Sequence, residues 1–133
     1  MIADWMKEIE TGIASIDNHH KKIIRNMNKL VFACSNSKKS EILSLIQDLE
    51  KDVNAHFKIE EGWMQKYNYP EFLSHKSMHF VFKTAFINFK QEVDSKKKKK
   101  CISELCDVLV DWLIWHINVE DRLMAEYIQD RKV

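Results

Sequence analysis

Two glycines and one proline in 133 residues leave little material for the tight turns that a β-rich fold requires. Long helices joined by few loops follow from that shortage. The three cysteines, Cys34, Cys101 and Cys106, are odd in number and form no Cys-x-x-Cys pair. That argues against a disulfide scaffold or a zinc ribbon and for a reducing, cytoplasmic compartment. No apolar run is long enough to cross a membrane. The stretch from Met1 to Thr11 carries Asp4, Lys7, Glu8 and Glu10 among its hydrophobes, so it lacks the apolar core of a secretion signal. An excess of either charge is missing too: 21 basic against 20 acidic residues leave +1, no field for gripping nucleic acid or anionic lipid. The run Lys96 to Lys100 has no interleaved aromatics and reads as a solvated loop.

What is present is an apolar content of 45%, enough for one continuous core, and it recurs with helical period. A first stripe runs Ile13, Ile16, His20, Ile23, Met27, Leu30 and Cys34. A second begins near Ser40, read as its N-cap, and passes through Ile46, Val53, His56, Glu60 and Met64 to end near Asn68. Pro70 suits the first position of a third, with Phe72, His75, His79, Phe82, Phe86 and Phe89 inward. The fourth runs Ile102, Leu105, Leu109, Trp112, Leu113, His116, Ile117, Asp121, Met124 and Ile128. The simplest arrangement is all-α, an up-down-up-down antiparallel four-helix bundle over about residues 13–129, preceded by an extended arm over about 1–12 with Trp5. Residues 1–133 are expected to form a single domain and a monomer.

Five histidines and two carboxylates stand at core positions of these stripes: His20, His56, Glu60, His75, His79, His116 and Asp121. A buried carboxylate costs several kcal/mol unless it is paired or bound to a metal, and neither carboxylate has a stripe-facing Lys or Arg. Counted from one end of an antiparallel bundle, the seven lie about five to thirteen residues deep, a spread of roughly 12 Å at 1.5 Å per residue. All can therefore reach one inner site. His56 with Glu60, and His75 with His79, are four apart and project from one face. His116 and Asp121 are five apart, which puts Asp121 at the edge of its stripe. Imidazole and carboxylate donors suit iron, zinc, copper or nickel, so donor type alone does not choose the metal. Number does more, because a single zinc takes four ligands and would leave three residues unexplained. Two octahedral ions bridged by both carboxylates and one oxygen atom use all seven and leave a single position open for a small ligand.

The residues carrying this pattern resemble the hemerythrin family, and in particular its single-domain bacterial form. The resemblance rests on Gly12-x-x-x-Ile16-Asp17-x-x-His20, on His56-Phe57-x-x-Glu60-Glu61 with Met64 and Tyr69-Pro70 following, on His75-x-x-x-His79, and on Trp112-Leu113-x-x-His116-Ile117-x-x-x-Asp121. It spans nearly the whole chain. It implies two iron ions with an oxo or hydroxo bridge, one held by His75, His79 and His116, the other by His20 and His56, with Glu60 and Asp121 bridging. Dioxygen would bind reversibly at the two-histidine iron, for carriage, storage or delivery to an oxygen-using protein. Ile23, Phe57, Trp112, Leu113 and Ile117 are candidates for a dry pocket around it. His19 stands where the bacterial family more often has Gln; about 100° from His20 around the helix, it is expected at a seam or in solvent. Glu61, beside a ligand but off its face, is left outside the site.

Two other classes use the same donors. A di-iron oxidase, peroxidase or nitric oxide reductase is disfavoured because the carboxylate-rich Glu-x-x-His motif of ferritin-like enzymes is absent from the sequence. A sensing or iron-storage module, or a zinc-stabilised bundle, would be told apart by partner capture and metal analysis.

Overall fold

A computed structural model describes residues 10–95 and 99–131 of the chain. The expectations for Trp5, for Lys96 to Lys98 and for the Cys101 side chain fall outside the described part. Helix α1 spans Ala14–Asn36, α2 Lys39–Lys66 and α3 Phe72–Asp94. The fourth rod is composite: α4, Lys99–Trp115, runs into a π-helical turn, His116–Asp121, and on into α5, Arg122–Arg131. Each long helix packs on its sequence neighbours and the fourth returns to α1, so the fold is an all-α four-helix bundle. Among the described residues no helix is long and apolar enough to cross a membrane.

The helix boundaries correct three local expectations. Ser40 is not the cap of α2; the helix starts after Lys38, without a side-chain cap, and Ser40 lies in its first turn. Pro70 is not the first residue of α3 but sits in the preceding turn. The cause is the way α2 ends: Asn68 takes the left-handed conformation with φ 53°. Its N–H reaches the Gln65 carbonyl at 3.3 Å while that of Tyr69 reaches the Met64 carbonyl at 2.9 Å. This paired closure satisfies two orphan carbonyls and uses up the residues before Pro70. Lys99 and Lys100, expected in a loop, already belong to α4.

At the start of α1 the Asp17 carboxylate gathers the Thr11 N–H and hydroxyl, both at 2.8 Å, and the Gly12 N–H at 3.2 Å. Gly12 needs its missing side chain: φ is +81°, and a Cβ would meet the Gln129 side chain at 2.7 Å. The Asp17 position of the motif thus fixes the turn into α1, Gly12 allows that turn to pass close to Gln129 of α5, and neither contributes a ligand.

The interior falls into two apolar clusters. The larger includes Ile23, Met27, Leu30, Phe57, Phe82, Leu113 and Ile117; the smaller includes Ile16, Met64, Tyr69, Met124 and Ile128. The seven polar core residues occupy positions between these two groups along every helix, so both ends of that layer are closed by hydrocarbon.

Candidate metal centre

All seven donors are buried, none more than 1% exposed. His20 comes from α1, His56 and Glu60 from α2, His75 and His79 from α3, and His116 and Asp121 from the two ends of the π-helical turn. In a regular α-helix, residues five apart would point about 140° away from each other. The wider i→i+5 turn brings them to one face, and His116 Nε2 lies 3.1 Å from Asp121 Oδ1.

The donors sort into two groups within which the ligating atoms all lie within 4.8 Å of one another: His20, His56, Glu60 and Asp121, and Glu60, His75, His79, His116 and Asp121. The two carboxylates belong to both, and each divides its oxygens between them. Glu60 Oε2 is 2.7 Å from His56 Nε2 and 3.6 Å from His20 Nε2, while its Oε1 is 3.3 Å from His75 Nε2 and 3.1 Å from His79 Nε2. Asp121 Oδ2 is 2.9 Å from His20 Nε2 and 3.6 Å from His56 Nε2, and its Oδ1 is 3.1 Å from both His75 and His116. Every imidazole turns Nε2 inward.

Hydrogen bonding among these groups accounts for only part of the arrangement: His20 Nε2 pairs with Asp121 Oδ2 at 2.9 Å and His75 Nε2 with Glu60 Oε1 at 3.3 Å. His56 Nε2 and Glu60 Oε2 approach closely, yet neither is aligned as a hydrogen-bond partner, and Asp121 Oδ1 is left in the same condition. The Nε2 atoms of His79 and His116 face each other at 3.2 Å. Buried polar atoms are ordinarily paired, so donors converging on shared points with His56 Nε2, Glu60 Oε2 and Asp121 Oδ1 left over fit bound cations. The electrostatics agree. Burial lowers the His56 pKa, but the Glu60 and Asp121 carboxylates outweigh it and raise that group to about 10. His75 is raised to about 9 against the same burial. Burial pushes both carboxylates up, with repulsion from Asp121 added at Glu60, yet the surrounding imidazoles hold Glu60 and Asp121 well below the usual range. The pocket is one that stabilises positive charge.

Glu61, left outside the site on sequence grounds, belongs here. Its Oε2 lies 2.9 Å from His79 Nδ1, and an ionised carboxylate can only accept, so Nδ1 carries the proton and the Nε2 lone pair is presented inward. The signal that would have found it is chemical: a ligating imidazole needs an acceptor for its outer N–H. The Nδ1 atoms of His20, His56, His75 and His116 make no hydrogen bond among the described residues.

Of the proposed pocket residues, Phe57 lies flat on His79, with centroids 3.8 Å apart and planes 7° apart, and edge-on to His116. Trp112 lies flat on His116 at 4.9 Å and on Phe82, so it backs the three-histidine group from the bundle's flank. Ile23, Leu113 and Ile117 are buried in the larger apolar cluster. His19 occupies the seam expected for it, half-buried and stacked 5.8 Å from His56; burial and the neighbouring His56 lower its pKa.

Comparison with known proteins gives a consistent picture. The family model described as the hemerythrin HHE cation binding domain matches residues 11–128. A bacteriohemerythrin of Clostridium acetobutylicum is 34% identical over 93% of this chain and 97% of its own length. One of Pseudomonas aeruginosa is 28% identical, over 96% and 87%. A hemerythrin subunit of Sipunculus nudus is 29% identical, over 88% and 86%.

Proposed function

Because the chain belongs to the hemerythrin family, we propose that it binds dioxygen reversibly at two iron ions held by these seven side chains. The observation that carries the reading is the division of the Glu60 and Asp121 oxygens between a two-histidine and a three-histidine group. His20 and His56 would serve one ion, His75, His79 and His116 the other, with both carboxylates shared. Iron, when bound, supplies the electrons that hold dioxygen reversibly. The two-histidine side offers one nitrogen donor fewer, and the incoming ligand belongs there. Ile23, Leu113 and Ile117, together with Phe57 against the three-histidine group, surround the layer with hydrocarbon and keep it dry, so water does not compete. Trp112 and Phe57 fix the ring planes of His116 and His79.

A carrier rather than an enzyme is favoured by what the site lacks. Among the described residues every fully buried histidine and carboxylate is one of the seven donors, so none remains as a separate acid to drive oxygen cleavage. The test is anaerobic iron loading followed by alternating air and vacuum. A visible spectrum that cycles without loss supports the reading, and one that changes once and never returns contradicts it.

Two further results are expected. Metal must displace the protons that His56 and His75 hold at neutral pH, so iron affinity rises with pH up to about 9 to 10, where those groups lose them unaided. Calorimetry in buffers of different ionisation enthalpy reads the protons released. Glu61→Ala frees the outer N–H of His79 and is expected to weaken iron retention against a chelator by about 10- to 100-fold. Glu61→Gln keeps an acceptor and recovers part of that loss.

A further inference from the structure

The outward faces of α3 and the fourth rod are unlike the rest of the surface. Among the described residues ten large hydrophobic side chains stand exposed; nine lie on α3, α4, the π-helical turn or α5, one on α1 and none on α2. Phe80 is 71% exposed and Val108 70%. Single exposed hydrophobes are ordinary, but a face that gathers them marks a binding surface. Phe80 with Ile87 on α3, and Val108 with Trp115 on α4, are seven apart and keep to one stripe of each helix, the spacing of helices that pack on other helices. A groove of about 400 Å³ opens between α3 and α4, lined at depth by the buried Phe82, Phe89 and Leu109. The two stripes, with Val81 and Leu105 at the groove mouth, expose on the order of 600 Å² of apolar surface. That is the upper end for a patch on a typical monomer and most of the roughly 800 Å² that each partner buries in a stable pair.

Charge and register identify the occupant, and we propose that this α3–α4 face pairs two copies of the chain into a symmetric dimer. On α3 a lysine follows each apolar residue by three, Lys83 after Phe80 and Lys90 after Ile87; on α4 an acid takes that place, Asp111 after Val108, with Glu104 seven before it. The depths of the two helices are tied at His79 and His116, whose Nε2 atoms are 3.2 Å apart. Counted from that level, Phe80 and Trp115 are each one residue away and Ile87 and Val108 each eight, in the same direction because the helices are antiparallel. Lys83 and Asp111 are four and five away, Lys90 and Glu104 eleven and twelve. A two-fold axis running beside the helices leaves depth unchanged and lays α3 of one copy over α4 of the other, twice. It sets Phe80 against Trp115, Ile87 against Val108 and Lys83 against Asp111 in both halves at once, the self-complementarity that a symmetric pair requires. Lys90 also holds Glu50 at 2.9 Å within the chain, so Lys83 carries most of the charge match. An anionic membrane fits the face less well, because Glu104, Asp107 and Asp111 stand exposed around Val108. Pairing also covers the groove over Trp112, the ring stacked on His116. The monomer expected from the sequence rests on the inward stripes alone, and the dimer does not depend on what the metal layer binds.

The test is sedimentation equilibrium of the full chain over a wide concentration range, in dithiothreitol so that no bridge forms through cysteine. The parent is expected to approach twice the chain mass. Phe80→Glu and Val108→Glu, both at exposed positions, should stay monomeric throughout while keeping the parent's helical circular dichroism. Lys83→Glu and Asp111→Lys should each weaken pairing by at least about 10-fold, because each sets like charges against each other twice per dimer. Mixed together, these two variants should pair again, since both charge contacts of the mixed dimer join opposite signs. A parent that stays monomeric, or that binds phosphatidylserine vesicles in place of a second copy, overturns the proposal. So does a dimer indifferent to Phe80→Glu and Val108→Glu, a mixture that pairs no more tightly than its components, or growth beyond two copies.

Discussion

Glu60→Ala is expected to abolish binding of both iron ions, whereas His79→Ala should leave about one ion bound, because Glu60 belongs to both donor groups and His79 to one. The asymmetry follows from the divided oxygens. Loss of Glu60 removes Oε2 from beside His56 and Oε1 from beside His79 in a single change. It also leaves five inward imidazoles facing only Asp121, so the pocket loses half of the negative charge that raises His56 and His75. Metal binding that stabilises only the folded state contributes about 4 kcal/mol per ion at a thousandfold excess over Kd. The variant should therefore also melt well below the loaded parent. Iron analysis after gel filtration reads the first effect and thermal unfolding the second; equal iron loss in the two variants would refute a shared carboxylate.

Phe57→Ala carries the largest expected cost in stability without metal. The ring is fully buried, stacked on His79 and edge-on to Phe82 at 5.8 Å. Truncating such a ring costs about 3–5 kcal/mol. The midpoint of urea unfolding should fall with little change in slope. The space left behind borders His79 and His116, so water gains access and the oxygenated colour should decay faster in air. Phe57→Leu refills most of the volume and should bleach at a rate closer to that of the parent. If Phe57→Ala loses stability but bleaches at the parental rate, the ring packs the core without guarding the site.

Much of the architecture was legible because helical periodicity and antiparallel depth are both countable from residue numbers. The stripes through His20, His56, His75 and His116 placed these residues in one layer, and the structure brings them together there. The His116–Asp121 geometry was not legible. A spacing of five looks poor on a regular helix, and nothing local in His-Ile-Asn-Val-Glu-Asp signals a π turn. That turn is a tertiary solution, found where both side chains must face one point. Glu61 was missed for a related reason. Its position was judged against its own helix, whereas the group it serves, His79, comes from α3. The Asn68 closure ahead of Pro70 was hidden because proline favours a helix start equally well as a turn.

Anomalous diffraction at the iron edge, on crystals of the anaerobically loaded chain, tests the central claim most directly. Two peaks are expected inside the layer, each flanked by one oxygen of Glu60 and one of Asp121, with three imidazoles around one and two around the other. A single peak, or iron bound elsewhere while the seven side chains remain bonded to one another, would contradict it.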